Sequence, residues 1–249
     1  MDEKNEYLCI NEISKKYNDI QEIWSKNDIW HYITRNKIDL LIEKYKYIIR
    51  YNFCWSIVNI GSGGNPYSFP ENNMLHIDIA ADKIKSKKYF LCARIEELSK
   101  CVGNSSYDIC LCVGSVLNYS NDVFLSIQNI ASVLKNNSYL ILEFESSCSF
   151  EYLFTKNYNK KAVIVKTFYN NKEEKLWVYS EKYIIDILNK FGFNILKINR
   201  FHIISSLLYR ITKNSYISSK FSIFDFVFSF IPFFSKRSSN IMVLARYNN

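Results

Sequence analysis

A chain of 249 residues, 48% hydrophobic and 22% charged, suits one α/β domain with insertions and can bury a full core, which excludes a disordered protein. Its 32 Lys and Arg against 24 Asp and Glu give a formal charge of +8, favouring anionic partners (nucleic acid, phosphorylated substrates, acidic lipid) without choosing among them. Seven cysteines without a CxxC pair, beside three histidines, exclude a spacing-defined zinc site and indicate no other metal; reduced, mostly buried thiols in a cytoplasmic protein are expected.

The N-terminus, Met1-Asp2-Glu3-Lys4, is charged, and no apolar core of a signal peptide follows it. Ile10, Ile13, Tyr17, Ile20 and Trp24 recur in steps of three and four, which predicts an amphipathic helix over residues 7–24. A second helix is predicted over residues 29–50, with Ile38, Leu41, Ile42, Tyr45 and Ile49 on one face. Together they form a helical cap, residues 1–52.

From here the period changes. Short β-rich runs are predicted as strands at residues 56–60, 74–80, 89–93 and 108–113, the last placing Cys110 and Cys112 on one face. A helix over 122–134 and a turn at Lys135-Asn136-Asn137-Ser138 lead to a fifth strand at 139–145. Residues 162–168 and 176–179, joined through Asn170-Asn171-Lys172-Glu173, read as a hairpin. Residues 181–191 read as a helix closed by Gly192, and 193–198 and 240–246 as the last two strands. An insertion rich in aromatic and basic residues, about 201–239, separates those two. Alternating strands and helices imply a seven-stranded, mostly parallel, Rossmann-like sheet with helices on both faces, its ligands at the carboxyl ends of the strands.

The strongest local signal is Gly61-Ser62-Gly63-Gly64-Asn65-Pro66, directly after the first strand. Glycines let the backbone approach a ligand, and a helix expected to follow would aim free N–H groups at it. Asp78, at the end of the second strand, is placed to accept both hydroxyls of a ribose. A nicotinamide-binding fingerprint would need a third glycine where Pro66 stands.

Taken in order, Val58-Asn59-Ile60-Gly61-Ser62-Gly63-Gly64, His76-Ile77-Asp78-Ile79, the run from Tyr107 to Tyr119 and Val133 to Leu142 resemble the class I S-adenosylmethionine (SAM)-dependent methyltransferases. The similarity covers roughly residues 56–198, with 241–246 as a last strand. It implies one methyltransferase domain, in which 53–145 bind SAM and 146–249 bind the substrate. Gly61 and Gly63 would lie against the methionine part of SAM, with Ile60 and Ser62 in the same cofactor-binding turn. Asp78, with Ile79, would hold the ribose, Ile95 would sit beside adenine, and Val113, Gly114 and Ser115 would line the sulfonium side. The chain departs from the family at Asn59 (usually acidic), at Asn65 (the third glycine) and at Arg94 (often acidic), where Glu96 is near enough to substitute.

An activated methyl group asks the enzyme mainly for alignment and exclusion of water, and for a base only when the acceptor arrives protonated. The candidates for that base are Glu145, Tyr119 and His202, with Glu143 on the same face as Glu145; each has a structural hydrogen bond as its alternative role. Trp177, Tyr179 and the insertion are expected to build the acceptor pocket. The preferred reading is methyl transfer to a small molecule of sugar, lipid-linked or secondary-metabolite type. A non-catalytic scaffold and a nucleic-acid methyltransferase are the alternatives. The last is disfavoured because Gly114-Ser115-Val116-Leu117-Asn118-Tyr119 lacks the prolines of the amino-methylating DNA enzymes. The segment 221–234, too short to span a bilayer and flanked by Lys220, Lys236 and Arg237, reads as a pocket lid, a dimer surface or a peripheral contact with lipid.

Overall fold

The computed structural model describes residues 7–169 and 172–248. In chain order, helices α1 (Ile10–Asp19) and α2 (Ile29–Ile48) precede β1 (Ile57–Ile60) and β2 (Met74–Asp78). Then come α3 (Ala81–Ile84), β3 (Phe90–Cys92), α4 (Leu98–Cys101), β4 (Tyr107–Cys112), α5 (Val123–Val133) and β5 (Leu134–Glu145). A hairpin of β6 (Ala162–Tyr169) and β7 (Lys172–Tyr179) leads to α6 (Glu181–Lys190) and β8 (Phe193–Phe201). Four short helices, α7 (Ile204–Thr212), α8 (Ser215–Lys220), α9 (Asp225–Ser229) and α10 (Pro232–Ser235), fill the insertion before β9 (Asn240–Tyr247).

The main sheet has seven strands in the order β3-β2-β1-β4-β5-β9-β8. Pairing is parallel from β3 through β5, and β9 runs antiparallel to both of its neighbours. Strand order therefore reverses between β1 and β4, where Ile60 and Cys112 stand side by side at the carboxyl ends. All four residues of β1 are buried, as expected of a central parallel strand covered on both faces. On one face Val58, Cys110, Leu140 and Val243 pack with Ile127 and Ile130 of α5 and Ile184 of α6. On the other, Ile57, Ile109, Ile141 and Met242 meet Ile38, Ile42 and Tyr45, one stripe of α2. Asp28, Asp122 and Ser180 cap α2, α5 and α6 by accepting the N–H of the third residue on, and Gly192 follows α6 at φ +82°.

Four local expectations need correction. The glycine-rich turn is not followed by a helix: φ is positive at Gly61, Gly63, Gly64, Tyr67 and Ser68, which a right-handed helix cannot absorb, and just a 3-10 turn, Glu71–Asn73, precedes β2. Tyr67 and Phe69 cover that part of the sheet beside α2 instead. The first helix ends at Asp19, because Ile20 is extended, and Trp24 lies in the following loop. Residues 135–138 belong to β5, where Asn137, at φ +64°, absorbs the local turn tendency within a register shift against β4. Among the thiols, Cys110 and Cys112 are buried on one face of β4, whereas Cys9, Cys54, Cys92 and Cys101 are exposed. The hairpin tip at Asn170 and Asn171, and the charged start Met1 to Lys4, lie outside the described residues. No described helix is long and apolar enough to cross a membrane.

Candidate active site

A cavity of about 970 Å³ opens at the carboxyl ends of β1, β2, β4 and β5, beside the point where strand order reverses. Its floor begins at the glycine turn. The Gly61 N–H donates to the Ile77 carbonyl (2.7 Å), which pins the turn to β2. At φ +63° a Cβ on Gly61 would stand 2.1 Å from Val116 Cγ2, so no larger residue fits there without displacing the turn after β4. Asp78 is buried, and its carboxylate accepts the N–H of Gly63 (2.8 Å) and of Ala80 (2.8 Å). Burial raises its proton affinity and these backbone donors oppose the rise. Asn59 faces away from the cavity: its Nδ2 donates to the Asn65 carbonyl (2.7 Å), so it shapes the turn from behind.

The turn after β4 is held by Glu143. This fully buried carboxylate accepts the N–H of Gly114 (2.9 Å) and Ser115 (2.6 Å) through one oxygen and Asn240 Nδ2 (2.7 Å) through the other. Gly114 and Ser115 are both left-handed, at φ +84° and +60°, a strained pair that those bonds fix.

Glu145, two residues on, lines the cavity and accepts the Ser115 hydroxyl (3.0 Å). Burial, with Glu143 and Glu151 nearby, pushes its pKa to about 8. Glu151, in the 3-10 turn Phe150–Tyr152, lines the same wall, accepts the Ser239 hydroxyl (3.1 Å), and is raised by burial to about 7. Neither carboxylate forms a salt bridge with a described residue. Across from them Glu174 of β7 accepts the Tyr119 hydroxyl (2.8 Å) and pairs with Lys16.

Helix α1 and the loop after it form the remaining wall. Ser14 Oγ donates to the Ile79 carbonyl (2.7 Å), the Tyr17 hydroxyl donates to that of Tyr119 (3.1 Å), and Lys16 reaches Glu174. No residue of α1 is buried, so polar bonds rather than core packing hold it in place.

Of the residues singled out in the sequence, Ile60, Gly61, Ser62, Gly63, Asp78, Ile79, Ile95, Glu96, Gly114, Ser115, Tyr119 and Glu145 all line this cavity. Val113 does not; it is buried in the core against α2. Nor does His202. It is fully buried, its ring nitrogens meet Thr34 Oγ1 (2.9 Å) and Ser205 Oγ (2.9 Å), and Trp30, which does line the cavity, stacks on it at 4.2 Å. Burial, with His31 and Lys37 nearby, drives its pKa down to about 3, so it pins α2 to the insertion as a neutral ring and is in no position to take a proton from a ligand. Glu96 is anchored: Oε1 accepts from Arg94, Ser120 and the Asn121 N–H. Burial raises the Tyr119 phenol well above its usual range, so it is a donor rather than a base. Tyr179 is buried in the core and Trp177 packs against it, both outside the cavity lining. Tyr209 belongs to the insertion expected to build the pocket, whereas Glu151, Glu174 and Trp30 were not anticipated; of these, only Glu174 had a signal, since it shares the alternating inward face of β7 with Leu176 and Val178.

No family model matches the sequence, and no curated protein matches it. Solved structures do resemble the fold. One is a SAM-dependent methyltransferase from Clostridium acetobutylicum, 14% identical, with a TM-score of 0.56 over 97% of this chain and 100% of that one. Another is the Burkholderia thailandensis 1,6-didemethyltoxoflavin-N1-methyltransferase with bound 1,6-didemethyltoxoflavin and S-adenosylhomocysteine, 10% identical, TM-score 0.54, over 96% of this chain and 87% of that one. A third is the [4+2]-cyclase SpnF, 12% identical, TM-score 0.51, over 84% of this chain and 80% of that one. At such identities the likeness is one of architecture: the chain has the fold of the SAM-dependent methyltransferases.

Proposed function

We propose that this chain is a SAM-dependent methyltransferase acting on a small-molecule acceptor. One observation carries the reading: a single cavity at the reversal of strand order is lined by both glycine turns, by Asp78 and, on another wall, by Glu145 and Glu151. Its volume, about 970 Å³, lies at the upper end for small-molecule sites and leaves room for a cofactor and an acceptor together.

The residues fit the cofactor. Asp78 offers a buried carboxylate for ribose hydroxyls, Ile79, Ala93 and Ile95 an apolar slot for adenine, and Gly61, Gly63 and Gly114 backbone without side chains beside the methionine part. When bound, SAM supplies a methyl group already activated by the sulfonium charge. The chain's own work is to hold the acceptor in line, exclude water beneath α1, and take up a proton at a Glu145 carboxylate oxygen. In this reading residues 53–145 hold the cofactor, while the cap and residues 146–249 shape the acceptor side.

Two carboxylates answered by serine hydroxyls and by no salt bridge favour an acceptor that brings its own N–H donors, an amine above a sugar. An acidic wall also opposes a nucleic-acid substrate despite the overall +8 charge. The non-catalytic alternative draws on Asn59, Asn65 and Arg94, but Asn59 and Asn65 support the turn from outside the cavity lining and Arg94 is paired with Glu96.

Calorimetric titration with SAM and with S-adenosylhomocysteine tests the reading. Saturable binding is expected, weakened by about 2 kcal/mol in Asp78→Ala, as for one or two lost charge-assisted hydrogen bonds. Absence of binding to the folded wild type would overturn it. A panel of amines, sugars and phenols, scored by formation of S-adenosylhomocysteine, then tests the acceptor class.

A further inference from the structure

The insertion between β8 and β9 is built inside out. Ile223, Phe226, Phe230 and Phe233 are 73%, 69%, 70% and 55% exposed, Phe221, Phe224 and Val227 are exposed too, and the Phe221–Phe224 and Phe226–Phe230 rings pack against each other in pairs. Most of the insertion's serines and its one acid point inward. Ser218, Ser219, Ser222, Asp225 and Ser235 are buried. Asp225 is the anchor: its carboxylate accepts the N–H groups of His202 (2.7 Å), Ile203 (3.0 Å) and Ile204 (3.0 Å), capping α7 and docking α9 beneath. Ser218 and Ser219 satisfy their hydroxyls on the carbonyls of Asn214 and Ser215 within α8. A water-facing insertion would show the opposite pattern, so the outer face of this one is matched to an apolar partner.

Charge selects the partner. Lys213, Lys220 and Lys236 are exposed around the aromatic face, with Arg237 at its edge, and Asp225, buried, is the sole acid between residues 201 and 248. A second copy of the chain placed symmetrically on this face would set these lysines against themselves. An anionic bilayer answers both features, apolar side chains entering the acyl boundary and lysines meeting the headgroups. We propose that the outer face of residues 213–237 is a docking surface for anionic membrane. This rests on the insertion alone and stands apart from the methyltransferase reading.

Flotation of the full chain with vesicles of equal parts phosphatidylglycerol and phosphatidylcholine, against phosphatidylcholine alone, is the test. Binding to the anionic vesicles is expected. It should drop about tenfold or more in the double variant Phe226→Ser, Phe230→Ser, which removes exposed apolar area alone. It should drop about fivefold for each charge removed in Lys220→Gln, Lys236→Gln, a pair whose exposed positions leave the fold untouched. Equal flotation of wild type and both variants, equal recovery on the two vesicle types, or no flotation would overturn the proposal. So would self-association without lipid, seen by sedimentation equilibrium and abolished by the same aromatic variant, since that would assign the face to a second copy.

Discussion

Glu143 and Glu145 leave the same face of β5, yet their surroundings give them different tasks. Glu143 meets three donors and no solvent, so its carboxylate acts as a clamp on the left-handed Gly114–Ser115 turn. Replacing it with Ala would leave buried N–H groups without acceptors; a loss of about 3 kcal/mol in urea unfolding is expected. A loss below 1 kcal/mol would show that the turn holds itself. Glu145 has one hydroxyl partner and faces the cavity, and with a pKa of about 8 it would, in the proposed reaction, accept a proton only once deprotonated. Methyl transfer should therefore rise as pH increases through about 8, and Glu145→Gln should lower kcat about a hundredfold and flatten that limb. An unchanged pH profile in the variant would remove Glu145 from the chemistry. The period of two puts both residues on one face in the sequence itself. Which of them meets the backbone donors depends on the positive φ of Gly114 and Ser115, and no residue-type pattern announces that at a serine.

Among the elements, α1 is the one whose loss costs the core least. It buries no residue, and neither apolar cluster of the sheet includes any part of it. Yet Ser14, Lys16 and Tyr17 tie it to Ile79, Glu174 and Tyr119 around the cavity rim. Deleting residues 1–19 removes α1 and, ahead of it, Leu8, the one buried side chain among the described residues of that segment, and should leave thermal unfolding within several degrees of the full chain while weakening SAM binding about tenfold, or about 1.4 kcal/mol, through lost enclosure. Equal affinities would make α1 a bystander; a collapse of the unfolding transition would make it part of the core. The helix itself was legible from Ile10, Ile13 and Tyr17, because periodicity records which side chains avoid water. Its end was not, since Ile20 and Trp24 continue the apolar spacing after the backbone has become extended. The missing helix after Gly64 is the mirror case. The glycines reported a tight approach correctly, but the left-handed Tyr67 and Ser68 carry no compositional mark.

For the whole molecule, the sheet was readable because each central strand is a short apolar run, the pattern imposed by burial on both faces. Charge was readable only as a sum. The +8 total conceals three buried acids, Asp78, Glu143 and Asp225, and two half-buried ones, Glu145 and Glu151, all with proton affinities raised by desolvation. Stability should follow from this. Between pH 6.5 and 8 the folded chain keeps protons on Glu151 and Glu145, at about 7 and about 8, whereas the unfolded chain, with carboxyls near 4.5, has released them. The unfolded state then binds fewer protons, so stability falls as pH rises through this window. His76 and His202, both lowered by burial, act in the opposite sense, but below about 6.5, where the unfolded imidazoles gain protons that the folded ones refuse. Urea unfolding across pH 6.5 to 8.5 should thus show a decline on the order of 1 kcal/mol per pH unit. The double variant Glu145→Gln, Glu151→Gln should be flat there and more stable than wild type at the alkaline end. A wild type whose stability fails to fall through that range would mean that both carboxylates are already ionised in the folded chain, and that the cavity wall is charged at neutral pH.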